Sequence, residues 1–596
     1  MNKKHWLTGL FGILLVSFLV LSCPEEDPPP DGSGIWTPIL TKPERPVMSD
    51  LLSSNYTKNA TAAPLTVKAT VTEGVLSYQW YKTTGLSAVG GEPVGTDNAS
   101  YTPLTDEEGD TYYYVVVTNT DATKEDPTLS RTSNLARIRV TTAAVTFPTP
   151  AVTITVDNAT KYQYIRGFGG MSNVWTSPYL NQNDIDRMFD PDNGLGYNIL
   201  RICIYPIHEN LFNGIQGAPA NRPDAHYFYY EMVKRAKSHG AYILASPWTM
   251  RAEWKEGYSV NPVHYGDYAY HLKDYLDVME DNGATVDYVS MQNEPDADVD
   301  YDGCAWTGPQ TRDFVKAWRD IVAPRTRTDG RTPVKFMPGE SFQWRDAAYN
   351  ATRNDPDAWA KVDVVAGHMY GGIPSNPLRT AVKNDNKELW MTEHLFNTEN
   401  NYWIDSQWAE VWKVVTELHR CMATLDFNAY VWWYSKRFYS LIGDGEYGTL
   451  NGMPLYRGYA LSHFAKYATG KTRVETSVAG TTANVVGQYA DPNTSNPLSA
   501  FSSSLYVTAY EDDNEITLVL FNRHATAIGE VAIALPDGVT ASGASMVITQ
   551  GAGATDVSEG KKMDPDIVLL SSDKTTGVLN VPASCIISVR FTKAGI

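Results

Sequence analysis

The chain has 596 residues, too many for one hydrophobic core, so several domains are expected. Hydrophobic residues at 43% and charged residues at 20% describe a folded, soluble protein. With 49 Lys plus Arg against 68 Asp plus Glu, the formal charge of −19 repels nucleic acid and anionic membrane, and no Lys/Arg-dense run overrides it.

Met1 to Ser22 reads as an export signal, with Lys3 and Lys4 ahead of an apolar run from Leu7 to Leu21 that is short for a membrane span. It ends in Val20-Leu21-Ser22-Cys23, which resembles a bacterial lipobox and implies lipidation of Cys23 as the first mature residue. Residues 23–44 begin polar and Pro-rich and are expected to be a flexible tether. The acidic residues after Cys23 resemble surface-export signals of Bacteroidetes lipoproteins. Residues 45–145 alternate apolar and polar in short runs separated by Gly, Asp and Asn turns, an all-β pattern. Trp80 followed by Tyr112, Tyr113 and Tyr114 resembles the core Trp and tyrosine corner of immunoglobulin-like domains, without their two cysteines. A spacer role fits this domain better than glycan binding.

From Ile165 to about Tyr467, eight strand-like runs alternate with helical patterns, the rhythm of a (β/α)8 barrel over residues 165–467. Tyr268 to Met279, for example, places Ala269, Leu272, Leu276 and Met279 on one helical face. The cluster Arg166-Gly-Phe-Gly-Gly170 lacks the third glycine and the later acid of a dinucleotide site. From residue 468 to 596 strand alternation returns, and this segment with residues 152–164 is expected to form a β-sandwich beside the barrel.

The chemistry concentrates at two strand ends. Val286-Asp-Tyr-Val-Ser-Met-Gln-Asn-Glu-Pro-Asp296 stops at a proline, so Glu294 sits where a strand gives way to a loop. Leu389-Trp-Met-Thr-Glu393-His394 places a second glutamate in the same way, three β/α units on. An isolated Asn-Glu-Pro is more often a surface glutamate. Two such acids at the rim where barrels keep their chemistry are the minimum equipment for cleaving a glycosidic bond. The 16 Trp and 36 Tyr suit sugar faces, although most must serve packing. Of the five cysteines, Cys203 and Cys585 read as buried strand residues, and no spacing suggests a metal site. Asp298 to Gly303 imitates a calcium loop, but its twelfth position is Pro309 in place of the bidentate glutamate.

Seven blocks then fall in the order seen in glycoside hydrolase family 30: Arg166–Gly170, Ala245–Trp248, Val289–Asp296, Met337–Ser341, Gly367–Gly371, Leu389–His394 and Ala429–Tyr434. The chain resembles the bacterial xylanase and glucuronoxylanase branch of that family from Val152 to the C-terminus. The resemblance implies a retaining mechanism with Glu294 as acid/base and Glu393 as nucleophile, and Asn293 bonded to the sugar 2-hydroxyl. Trp248, Trp344, Tyr370 and Trp433 would wall the cleft, with His368 and His394 orienting the glutamates. Arg437 with Tyr434 and Tyr439 would hold a methylglucuronate branch. The loop His394 to Trp403 departs from the family's tyrosine-rich segment and leaves strict glucuronate dependence open.

The expected activity is endo-β-1,4-xylan cleavage, without cofactor or metal, by a monomer anchored to the outer membrane through Cys23. Its partner is xylan or glucuronoxylan, with no nucleic acid and no membrane contact beyond the lipid. A β-1,6-glucanase or another family β-glycanase is the alternative within the same chemistry. A catalytically silent glycan-binding lipoprotein is the alternative outside it.

Overall fold

The computed structural model describes residues 36–144, 146–173, 179–206, 229–299, 302–396, 407–480, 505–552 and 556–595. The export signal, Cys23, the start of the tether, Asp300 and Tyr301 of the acidic loop, and residues 397–406 after Glu393 lie outside them.

Eight parallel strands form the barrel. They are β1 (Gly167–Met171), β2 (Ile199–Ile204), β3 (Tyr242–Pro247), β4 (Tyr288–Ser290), β5 (Lys335–Met337 with Glu340–Ser341), β6 (Val364–His368), β7 (Glu388–Glu393) and β8 (Ala429–Tyr434). Pro338 and Gly339 split β5, whose first piece pairs with β4 and whose second pairs with β6, closing the ring. Strand parity sorts the side chains. Ile199, Leu244, Tyr288, Ala366 and Trp390 plug the interior, whereas Leu200, Val365 and Met391 face the helices. Parity therefore also turns Arg201 and His368 inward, one step above that plug.

The helices fit their sequence periods. Tyr265–Asp281 buries Tyr268, Ala269, Leu272, Leu276 and Met279 on one face. Gly308–Val322 begins with a reciprocal capping box between Thr307 and Gln310. Tyr456–Ala468 is buried on nearly every side, because the C-terminal sheet covers the face the barrel leaves free. Its His463 bonds Ser588 and Thr549 of that sheet at 2.7 and 2.8 Å.

Among the described residues the C-terminal sheet has ten strands, and Val152–Tyr164 lies within it between Thr472–Gly480 and Gly529–Ala534. Phe591 packs over Gly577, on strands far apart in the hydrogen-bonded order, so the sheet doubles over one core. Residues 47–141 form a third, all-β unit around fully buried Trp80, whose indole donates to the Asn98 carbonyl at 2.8 Å. Among the described residues no corner bond of Tyr112–Tyr114 is seen. Tyr114 instead accepts the Gly91 N–H and stacks on Tyr81.

Residues 36–51 run along the two larger units. Trp36 packs on the barrel core, Arg45 forks onto Asp192, and Asp50 accepts from Ser545 of the C-terminal sheet at 2.6 Å. This end of the expected tether is held in place.

Trp390 fills the plug, its ring 4.3 Å from that of Tyr288 and fully buried. Trp390→Ala should cost about 3–5 kcal/mol, read as a lowered denaturation midpoint of the barrel. An unchanged midpoint would show that the plug is not packed.

Candidate active site

At the C-terminal rim, the backbone departs from regularity at both glutamates. Glu294 has φ +48, a left-handed conformation that a non-glycine residue adopts only when held. Its N–H donates to the Glu340 carbonyl at 2.9 Å, and its carbonyl accepts from Ala297. On β7 the register slips by one residue: Met391 pairs with Gly367, but Glu393 pairs with His368. Strict alternation would send Glu393 outward with Met391, so the bulge at Thr392 re-aims it into the mouth of the barrel.

The two acids meet there. One carboxylate oxygen each from Glu294 and Glu393, with a ring nitrogen of His368, lie within 4.8 Å of one another, and all three residues are buried. The sequence expectation that these carboxylates converge therefore matches the geometry. Their spacing fits attack by one carboxylate with proton transfer by the other, and is shorter than an arrangement with a water nucleophile on the opposite face of the sugar requires.

Arg201 on β2 organises the floor. Its guanidinium, with no solvent exposure, reaches Glu393 at 2.6 Å, Asn293 at 2.7 Å and Glu340 at 3.1 Å, with Ser246 at 3.3 Å from Nε. Trp248 roofs it at 4.5 Å, placing the ring against a cation. Tyr370 donates its hydroxyl to Glu393 at 3.0 Å. His368 bonds Glu294 through Nδ1 at 2.9 Å and faces Glu340 at 3.7 Å through Nε2. Neither Arg201 nor Glu340 stands out in a reading for strand-end acids. The available signal is a single charge at an inward position of Ile-Leu-Arg-Ile-Cys-Ile, and an acid after the Pro-Gly break in β5.

These contacts set the charges. Burial pulls the His368 imidazole down, but Glu393, Glu294 and Glu340 push it up to about 9. Burial pushes Glu340 up, yet Arg201 and His368 hold it well below the usual carboxylate range. Burial also pushes Glu393 up, and Glu294 adds to this against the pull of His368 and Arg201. The cluster has the density of a metal site, but a protonated His368 and the adjacent guanidinium are poor surroundings for a divalent ion.

Of the expected cleft residues, Trp248 and Trp433 lie 5.9 Å apart, and Trp433 stacks on Tyr434 at 4.4 Å. Arg437 lies over Tyr434 at 4.8 Å, and Tyr439 meets the edge of Phe438 at 5.0 Å. Lys436 turns away into a buried pair with Asp184, which leaves Arg437 as the cation of that segment beside the aromatic rings. Two expectations are corrected. Trp344 does not wall the cleft: at φ +55 its ring packs against Tyr349 and Phe427, between β6 and the surrounding helices. His394 orients neither acid: its Nδ1 bonds Glu417 at 2.8 Å, and its ring supports Tyr370.

A barrel with an attached β-sheet, carrying opposed acids at its C-terminal rim, defines a glycoside hydrolase. No family model matches the chain. Glucuronoxylanase XynC of Bacillus subtilis is 29% identical over 391 residues, covering 63% of this chain and 79% of that protein. The family 30 subfamily 8 xylanase Xyn30A of Clostridium acetobutylicum superposes with a TM-score of 0.58 at 26% identity, over 74% of this chain and all of that one. A GH30 endoxylanase of Clostridium papyrosolvens C71 shares the fold, with a TM-score of 0.56 at 24% identity over 74% of this chain and all of that one. In sequence and fold the chain is similar to these xylanases of glycoside hydrolase family 30.

The folded pKa of His368, about 9, lies above its unfolded value near 6.5. The stability it contributes is complete below about 6.5 and is lost as pH rises through about 9. Wild type should therefore lose thermal stability across that interval by more than His368→Gln does. Parallel curves from pH 6 to 10 would remove His368 from this account.

Proposed function

We propose that the protein is a retaining endo-β-1,4-xylanase acting on xylan, with Glu393 as nucleophile and Glu294 as acid/base. The observation that carries this reading is the approach of the two carboxylates to within 4.8 Å, with Glu393 bonded to both Arg201 and Tyr370. These donors stabilise a carboxylate at Glu393 against its burial, and the assignment of Glu294 as the acid follows the similarity to the xylanases named above. The relatives named above supply the polymer.

In the first step a Glu393 oxygen bonds to the anomeric carbon as the glycosidic C–O bond breaks, and Glu294 gives its proton to the departing oxygen. Esterification removes the negative charge of Glu393, and Glu294 is left as a carboxylate. In the second step Glu294 takes a proton from water while that oxygen attacks the anomeric carbon and the ester bond breaks. The sugar leaves with its original configuration and both acids are restored. Asn293 is the group for the 2-hydroxyl, and Trp248, Tyr370 and Trp433 are the walls. Arg437, with Tyr434 and Tyr439, is the group for a glucuronate carboxylate, which a guanidinium can grip through two donors. Export by the Met1–Ser22 segment and lipid attachment at Cys23 belong to the same proposal, supported by the sequence pattern.

Glu393→Gln should lower kcat on xylan by about 100- to 10,000-fold or more. Glu294→Gln should lose as much on xylan but far less on an aryl xyloside whose leaving group needs no proton. Equal losses of Glu294→Gln on both substrates would reassign the acid. Arg437→Ala should cost much more activity on glucuronate-branched xylan than on the same polymer stripped of its branches. Matching losses on the two polymers would end the branch-recognition role.

A further inference from the structure

Glu340 touches both halves of the catalytic arrangement, although it is not expected to meet the sugar. Pro338 and Gly339 break β5 just before it, and the second piece of the strand sinks its side chain to zero exposure. Its N–H donates to the Gln292 carbonyl at 3.0 Å, and its own carbonyl accepts the Glu294 N–H at 2.9 Å. Its carboxylate faces Arg201 at 3.1 Å and His368 at 3.7 Å. One residue thus grips the backbone that presents Glu294 and faces the two cations at the centre of the site.

Counting charges gives this placement a consequence. Arg201 and His368 supply two positive charges, and Glu294, Glu340 and Glu393 supply up to three negative ones. Full ionisation would strand a net negative charge among groups with little or no solvent exposure, which is costly. Keeping one proton on the Glu294/Glu393 pair cancels it. With Glu340 made neutral, two cations would face two carboxyls, and both could ionise without that cost.

Tyr349, near Glu340, and Tyr434, near Glu393, stay neutral, with burial raising both hydroxyls. Tyr370, beyond β6, is neutral, with burial raising its hydroxyl well above its ordinary value. Tyr258, after β3, is likewise raised by burial. Asp296, beside Glu294, is taken up by Ser341, the Phe342 N–H and Arg345.

We propose that Glu340 is a positioning residue whose fixed negative charge retains the proton on Glu294 that the leaving group requires. This rests on the acid/base reading of Glu294 and adds what keeps that acid loaded at neutral pH. The depression of Glu340 by Arg201 and His368, against its burial, accords with a charge that stays in place.

The test is Glu340→Gln, which keeps the shape and removes the charge. The alkaline limb of kcat/KM on xylan should move down by about one pH unit, a ten-fold loss at a fixed pH on that limb. Acidification should recover much of the activity, and the loss should be smaller on an aryl xyloside with a dinitrophenyl leaving group. A uniform drop at every pH on both substrates, with the limb unmoved, would overturn the proposal in favour of a packing role. Glu340→Asp, which restores the charge, should return the limb towards its wild-type position even if Glu340→Gln folds poorly. A limb displaced equally in both variants would also overturn the proposal. Failure of the acid/base reading itself would show separately, in Glu294→Gln losing nothing on xylan while the Glu340→Gln limb still moves.

Discussion

A guanidinium without solvent exposure, Arg201, is the constraint around which the rim of this barrel is built. Burying a cation is unfavourable unless anions and hydrogen-bond acceptors surround it. Here its planar fork is matched by carboxylates of β5 and β7, the amide of Asn293, the Ser246 hydroxyl and the face of Trp248. A lysine could satisfy only part of that set, because it lacks spread, coplanar donors. Five strands are tied to one side chain, and the position of Glu393 follows from satisfying it. The site is therefore preorganised by electrostatics before any sugar arrives.

The same demand explains why the backbone is irregular at both acids. Regular strands would leave Glu393 facing the helices, and a regular turn after β4 would not need φ +48 at Glu294. A bulge and a left-handed residue each cost stability, and each is held by neighbours that have their own reasons to be there. The Pro-Gly break in β5 is part of this arrangement. It lets Glu340 pair with β6 while its carbonyl receives the N–H of Glu294. Backbone strain, charge and catalytic geometry are here one problem with one solution.

How much of this is legible in the sequence follows from what each signal encodes. Glu294 and Glu393 can be read because each closes an apolar strand, and the sandwich strand at Val152 can be read because its alternation lies outside the barrel rhythm. The barrel itself follows from eight alternations of strand and helix. Trp344 cannot be placed this way, since proximity to a strand end does not reveal the positive φ that turns its ring under the helices. His394 fails for a related reason: its partner Glu417 lies on a helix, 23 residues away. Arg201 and Glu340 are single charges in apolar or broken strands, and only parity combined with a closed barrel shows that they converge. The held position of residues 36–51 depends on contacts with Gln182, Asp192 and Ser545, which no local pattern announces.

A formal charge of −19 at first sight suits an anionic polysaccharide badly. Two length scales resolve the conflict. Across solvent, repulsion between exposed charges fades beyond a Debye length of about 8–10 Å at ordinary ionic strength. At contact, the field is set by the few groups within hydrogen-bonding reach. In the segment after β8, Lys436 is consumed by Asp184 inside the fold, while Arg437 lies over Tyr434 beside Tyr439. The ring limits hydration on one face of the guanidinium, and Nη1 donates to the Lys436 carbonyl at 2.9 Å, which holds the cation in place. A neutral xylan backbone would meet the aromatic walls without electrostatic penalty, and a branch acid would meet one oriented cation in an otherwise acidic protein. On the proposed reading, discrimination between branched and bare polymer would rest on that single charge.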